Sequence, residues 1–182
     1  MQNPLELLRS DHQNILYALW LLDAITTRMN QGMQANAEDL RAFLRFLKEF
    51  ADAYHHGKEE GFLFPALVKA GIPHPQGPVG VMLDEHAQGR AWIQDMGAAL
   101  SDTVDISKFT RAATEYKTLM EGHIQKENNI LFRMAEKMLA PSVLEQLLVD
   151  FSVHEEQTMG KEHFDELNAI LQSLQQKYAA GT

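Results

Sequence analysis

The chain has no cysteine among its 182 residues. That excludes disulfides, thiolate metal sites, cysteine-held iron-sulfur clusters and thiol catalysis, so any metal must be held by nitrogen and oxygen. Positive charge is also scarce. Lys and Arg number 16 against 25 Asp and Glu, a formal charge of −9, which discourages binding to phosphate backbones or anionic lipid, and neither nucleic acid nor membrane is expected as a partner. No segment approaches the ~18 uninterrupted apolar residues of a membrane span. The start "MQNPLELLRSDH" has no basic stretch leading into an apolar run, and the expected localisation is cytoplasmic. No stretch reads as a strand, and "GIPHPQGP" is the one loop rich in proline and glycine. The length suits one domain spanning 1–182.

What is present is helical period almost everywhere. Leu5, Leu8, Ile15, Leu19 and Leu22 recur at steps of three and four, with Asn3, Pro4 and Glu6 as cap, first-turn proline and first-turn acid. These predict a first helix over 4–30. A second runs from a cap at Asn36 to Ala70, stopped by Gly71 and Pro73, with a kink expected at Pro65. A third runs from Pro78 to Leu100 and a fourth from Ser107 to Leu139. Ser142 with Glu145 is read as the cap of a fifth helix over 142–178. Short connections join antiparallel neighbours, so the expected fold is all-α: an up-down-up-down four-helix bundle over 4–140 with an additional C-terminal helix.

Two stretches repeat. "HHGKEEGFLFP" at 55–65 is echoed by "HIQKENNILFR" at 123–133. In a helix, His55 and Glu59 share a face, as do His123 and Glu127, so each pair can grip one ion. Leu63-Phe64 and Leu131-Phe132 follow at matching offsets as an apolar floor. Helix one carries "SDHQN" with His12 and helix three "DEHAQ" with His86. Each half of the chain is thus a hairpin reading an acid-preceded His, then His-x-x-Lys-Glu. His12 and His55 each lie about 27 Å from the turn that joins their helices, at 1.5 Å per residue, and so meet at one level. The hairpin between helices two and three fits less well unless Pro65 or the loop absorbs the difference.

Four inward His and two inward Glu would cost several kcal/mol to bury bare, a cost that coordination offsets. The set His12, His55, Glu59, His86, His123 and Glu127 suits iron, or less well manganese or zinc, with the two carboxylates bridging a pair of ions. Two irons sharing both carboxylates and an oxo or hydroxo bridge would take two His each, leaving one open position per ion. The rival pair His56 and Glu60 is also four apart. The second repeat has Ile124 and Asn128 there, so symmetry favours His55 and Glu59, with His56 outside the ligand set. Lys58 and Lys126 are read as solvated helix charges, His74 as solvent-facing, and the aromatic residues as ordinary core. On the fifth helix, His154, Glu156 or His163 is placed by register at the level of the centre, either as an extra ligand or partner, or as part of a helix that only covers an apolar flank.

These four motifs, "SDH", "HHGKEEGFLFP", "DEHAQGR" and "HIQKENNILF", appear in order across residues 10–133. Together they resemble the hemerythrin-like, or HHE cation-binding, domain proteins. The resemblance implies a non-haem di-iron centre in a four-helix bundle with the same six residues as ligands. It also implies oxygen binding, peroxide or nitric oxide chemistry, iron sensing, or repair of damaged iron centres. Repair proteins of the family often carry a short Cys-containing N-terminal segment, which this chain lacks, and its oxygen carriers have five His ligands where the repeat here supplies four. Binding or sensing of a small diatomic or peroxide ligand in stress response is therefore set beside a di-iron redox enzyme and a metal-free helical interaction module. A homo-oligomer is compatible with each.

Overall fold

The computed structural model describes residues 3–101 and 103–179. Among them are six helices and no strand beyond one isolated bridge between Leu100 and Val104. Helix α1 is Pro4–Asn30, capped by Asn3 Oδ1 accepting from Leu5 N at 3.0 Å. Helix α2 is a continuous rod over 37–69, capped by Asn36. Helix α3 is Pro78–Ala98. Helix α4 spans 106–138 and is capped by Asp105, which accepts from Lys108 N at 3.0 Å.

The expected fifth helix is two. Helix α5 is Pro141–Thr158 and helix α6 is Gly160–Tyr178. The break falls where Gly160 takes φ +61, a left-handed backbone that suits glycine because it has no Cβ. The cap expected from Ser142 and Glu145 is also corrected. Pro141 fills the first helical position behind Ala140, with no side-chain cap bond, because its fixed φ already matches a helix start.

Around the bundle α1 packs on α2 and α4, and α3 packs on α2 and α4, while α5 and α6 lie along the α1/α2 side. The core is divided. One apolar cluster, including Leu19, Phe43, Phe46, Phe109 and Leu171, lies on one side of a polar layer. A second, including Leu5, Leu8, Leu63, Phe132 and Phe151, lies on the other. No helix of the described residues is long and apolar enough to cross a membrane.

Candidate metal centre

The polar layer forms where two helices leave α geometry. Within α2, Leu47–His56 and Glu59–Leu63 have the wider π turn, and within α4 so does Glu127–Leu131. In both repeats the widened turn starts on the Glu, whose carbonyl accepts from the Phe five residues on, Phe64 N to Glu59 and Phe132 N to Glu127. Such turns recur at functional sites because they re-aim side chains without ending the helix. In α2 the π turn runs directly into Pro65, which has no N–H and sits near the start of the last α segment.

Two groups of side chains converge there, all buried. His12, His55, Glu59 and Glu127 form one, and His56, Glu59, His86 and His123 the other, with the candidate donor atoms of each group within 4.8 Å of one another. Both carboxylates span the groups. Glu59 Oε1 lies 3.6 Å from His55 Nε2 and its Oε2 3.5 Å from His86 Nε2. Glu127 Oε2 lies 3.1 Å from His12 Nε2 and 3.2 Å from His123 Nε2. The conserved offset of Leu-Phe in the repeat also has a use here: Phe132 stacks on His12 at 5.5 Å and Phe64 on His86 at 5.7 Å between ring centroids.

Each imidazole is held from behind through Nδ1, which leaves Nε2 facing the centre. His12 Nδ1 is 3.0 Å from Asn128 Oδ1, His55 Nδ1 3.2 Å from Asp11 Oδ2 and His56 Nδ1 3.2 Å from Asp52 Oδ1. His86 Nδ1 is 2.7 Å from Glu60 Oε1 and His123 Nδ1 3.0 Å from Glu85 Oε2. Cations support four of the five acceptors. Lys58 donates to Asp11 and Lys126 to Glu85, while Arg90 bonds both Asp52, at 2.9 Å, and Glu60, at 2.7 Å.

Electrostatics follow from this packing. Burial, and then the adjacent Glu127 charge, raises the Glu59 carboxyl well above the ordinary range. Burial works against the Glu127 anion too, but His123 and His12 hold it well below that range. Burial and neighbouring imidazoles lower His55 and His56 well below the usual histidine value, and burial lowers His86. Burial would lower His123 as well, but Glu127 and Glu85 push it up to about 9. His55, His56 and His86 thus favour the neutral form that can ligate, and His123 sits where carboxylates favour positive charge.

The donors fit a metal pair. His12, His55 and His56 Nε2 and all four oxygens of Glu59 and Glu127 are buried with no aligned hydrogen-bond partner. The Nε2 atoms of His86 and His123 face each other at 3.1 Å. Orphaned donors and acceptors of this number are costly unless something charged lies among them.

The structure brings together all six side chains named from the sequence and adds His56. His56, which symmetry leaves outside the expected ligand set, is buried, stacked on His86 and grouped with Glu59, His86 and His123. The repeat does break there, because the corresponding residue is Ile124, also buried. Glu60 is not a rival to Glu59 but the acceptor that orients His86, as Asn128 orients His12. The solvated reading is corrected for Lys58, whereas Lys126 stays 40% exposed. Each pairs with the acid that precedes the single His, and Lys58 is buried. Those acids were visible in "SDH" and "DEH", and Arg90 in "DEHAQGR"; their cross-hairpin partners were not. Among the described residues, His154, Glu156 and His163 stay outside the centre. His154 Nε2 donates toward the carbonyls of Ala53, at 3.2 Å, and Tyr54, at 3.0 Å. Glu156 is exposed, and His163 pairs with Glu49 at 2.9 Å.

A helical bundle with a buried cluster of imidazoles and carboxylates, each imidazole oriented from behind, defines a metal-binding protein of the all-α class. Residues 3–135 match the family described as the hemerythrin HHE cation binding domain, and the chain belongs to that family. Helices α5 and α6 lie beyond the matched span. No curated protein and no solved structure gives a significant match.

Proposed function

We propose that the chain holds two non-haem iron ions and uses them to bind a small oxidant, such as oxygen, peroxide or nitric oxide, in sensing or stress response. The observation that carries this is the pair of carboxylates, each of which reaches an imidazole of both groups. One ion alone would not need that span, and a nitrogen and oxygen set without thiolate suits iron. Iron supplies a reversible change of oxidation state and an exchangeable coordination position.

The chain's own residues make the two positions unequal. On one side stand three histidines, His56, His86 and His123. On the other stand two, His12 and His55, and the repeat puts Ile124 where a third would be. The difference extends outward. Asp52 behind His56 corresponds to Met120, and Arg90 to Leu16, so the charged pair that backs His56 has no counterpart in the other half of the repeat. Phe64 and Phe132, stacked on His86 and His12, hold the rings in place and keep bulk water out.

Mixing the reduced, iron-loaded protein with oxygen in a stopped-flow spectrometer tests the reading. A stable oxygenated spectrum that reverses on degassing supports binding. Rapid irreversible oxidation with consumption of oxygen makes the chain a redox enzyme instead.

A further inference from the structure

The repeat supplies an internal control. Lys58, Asp11 and His55 form one relay, in which an ammonium pairs with a carboxylate that accepts from a ligand-side imidazole. Lys126, Glu85 and His123 form the other. By sequence the two are equivalent, but their surroundings differ. The Lys58 side chain is 2% exposed and that of Lys126 is 40% exposed. Lys58 Nζ lies 3.7 Å from the centroid of the Tyr54 ring and 5.8 Å from that of Phe151 on α5. Helix α5 is fastened over this spot by Glu155, which accepts from Tyr54 Oη at 3.2 Å, and by His154 on the carbonyls of the π turn. A cleft of about 610 Å³ beside the α5/α6 break reaches down to Asp11, Tyr54 and Lys58 without uncovering the lysine. Among the described residues, nothing comparable covers Lys126. The third cation of the surround, Arg90, is 43% exposed.

We propose that Lys58, buried by the C-terminal helices, is a positioning residue that sets the reduction potential of the centre and holds the ion on the His12/His55 side in its reduced form. The inference rests on the reading that the site holds iron.

Two effects act with one sign. A positive charge in a poorly polarisable surround disfavours adding a further positive charge nearby, so it resists oxidation of the metal; the same charge in water is largely screened. The lysine also draws on Asp11, which then accepts less strongly from His55 Nδ1–H and leaves Nε2 a weaker donor to an oxidised ion. Lys126 is connected to its acid as Lys58 is, and Arg90 bonds two acids, but both face solvent, so their influence is smaller. Helices α5 and α6, which the matched domain does not include, thereby turn one of two like relays into the dominant one.

The experiment compares the iron-loaded protein with Lys58→Met, Lys58→Gln, Lys58→Arg and Lys126→Met. Midpoint potentials are read by spectroelectrochemical titration, and Nδ1–H resonances of the metal-free proteins by NMR. Lys58→Met should shift the potential downward and speed oxidation by air. Lys58→Gln, which keeps a donor to Asp11 without the charge, should do the same, and Lys58→Arg should restore the original potential. Lys126→Met should move it far less. In the metal-free proteins the His55 Nδ1–H signal should shift more on Lys58→Met than the His123 signal does on Lys126→Met. Equal potential shifts from the two lysines, or none from Lys58, overturn the proposal. If no variant takes up iron, the function proposed above fails, and the NMR comparison still decides whether the two relays differ; equal NMR shifts overturn the inference.

Discussion

The rings of His56 and His86 stack with 3.7 Å between centroids and 14° from parallel. This contact joins neighbouring helices α2 and α3 and places both imidazoles in one metal group with His123. Replacing His56 should therefore empty or weaken that position, whereas the helix itself can tolerate alanine. His56→Ala is expected to lower affinity by at least the ~10–100-fold that loss of an outer-sphere partner typically costs. Metal content of the purified variant should fall toward one ion per chain. Full content in His56→Ala would show the residue to be packing alone.

The five acceptors behind the histidines give a second expectation. Glu60→Gln and Glu85→Gln keep size but weaken the bonds to His86 and His123, and each should cost ~10–100-fold in metal affinity. Glu156→Ala, changing an exposed residue, should cost nothing. Competition against a coloured chelator measures all three, and an effect of Glu156→Ala equal to the others would contradict the assignment.

The bundle was legible in the sequence because apolar period and end signals agree along its helices. Asn3 and Asn36 cap where their side chains suggest, and Pro78 opens α3. The fifth helix read as one because Met159-Gly160 interrupts no periodic pattern strongly enough; its break depends on a backbone conformation that composition does not reveal. At the site, residues repeated in both halves were legible and the departures from repetition were not. Symmetry sets His56 aside because Ile124 stands opposite, yet that inequality distinguishes the two candidate groups. An unbroken α-helix turns Lys58 and Lys126 away from the glutamates that follow them. In the structure π turns lie next to both lysines, and the acids they meet come from other helices.

Metal uptake should release protons near neutral pH. His123 is raised to about 9 in the metal-free protein, so at pH 7.5 it carries a proton that ligation must expel. The same shift makes a stability statement. Its contribution is fully present below the ordinary histidine value of ~6.5 and is lost as pH rises toward about 9. His55 and His56, lowered by burial, have no proton to give at that pH. Calorimetric titration with ferrous iron in buffers of different ionisation enthalpy should report at least one proton released at pH 7.5. Uptake with no proton release would mean that His123 is already neutral.

Gly57 and His154 should be energetically coupled. A Cβ at Gly57 would lie 2.8 Å from the His154 ring, so Gly57→Ala pushes the ring off the carbonyls of Ala53 and Tyr54. That cost, of the order of 1–3 kcal/mol for overpacking, opposes a helix-propensity gain of ~1 kcal/mol. In a His154→Ala background only the gain remains, and Gly57→Ala should stabilise. A double-mutant cycle by denaturant unfolding measures the difference, and strict additivity would show that the ring does not rest on Gly57 in solution.

On the proposed reading, Glu59 and Glu127 join two iron ions in one site. It is tested most directly by measuring iron per chain after the protein is made with iron present and purified without chelators. About two irons per chain are expected, lost together when Glu59 is changed to Ala. One iron, a single zinc, or no metal in the unaltered protein would contradict it.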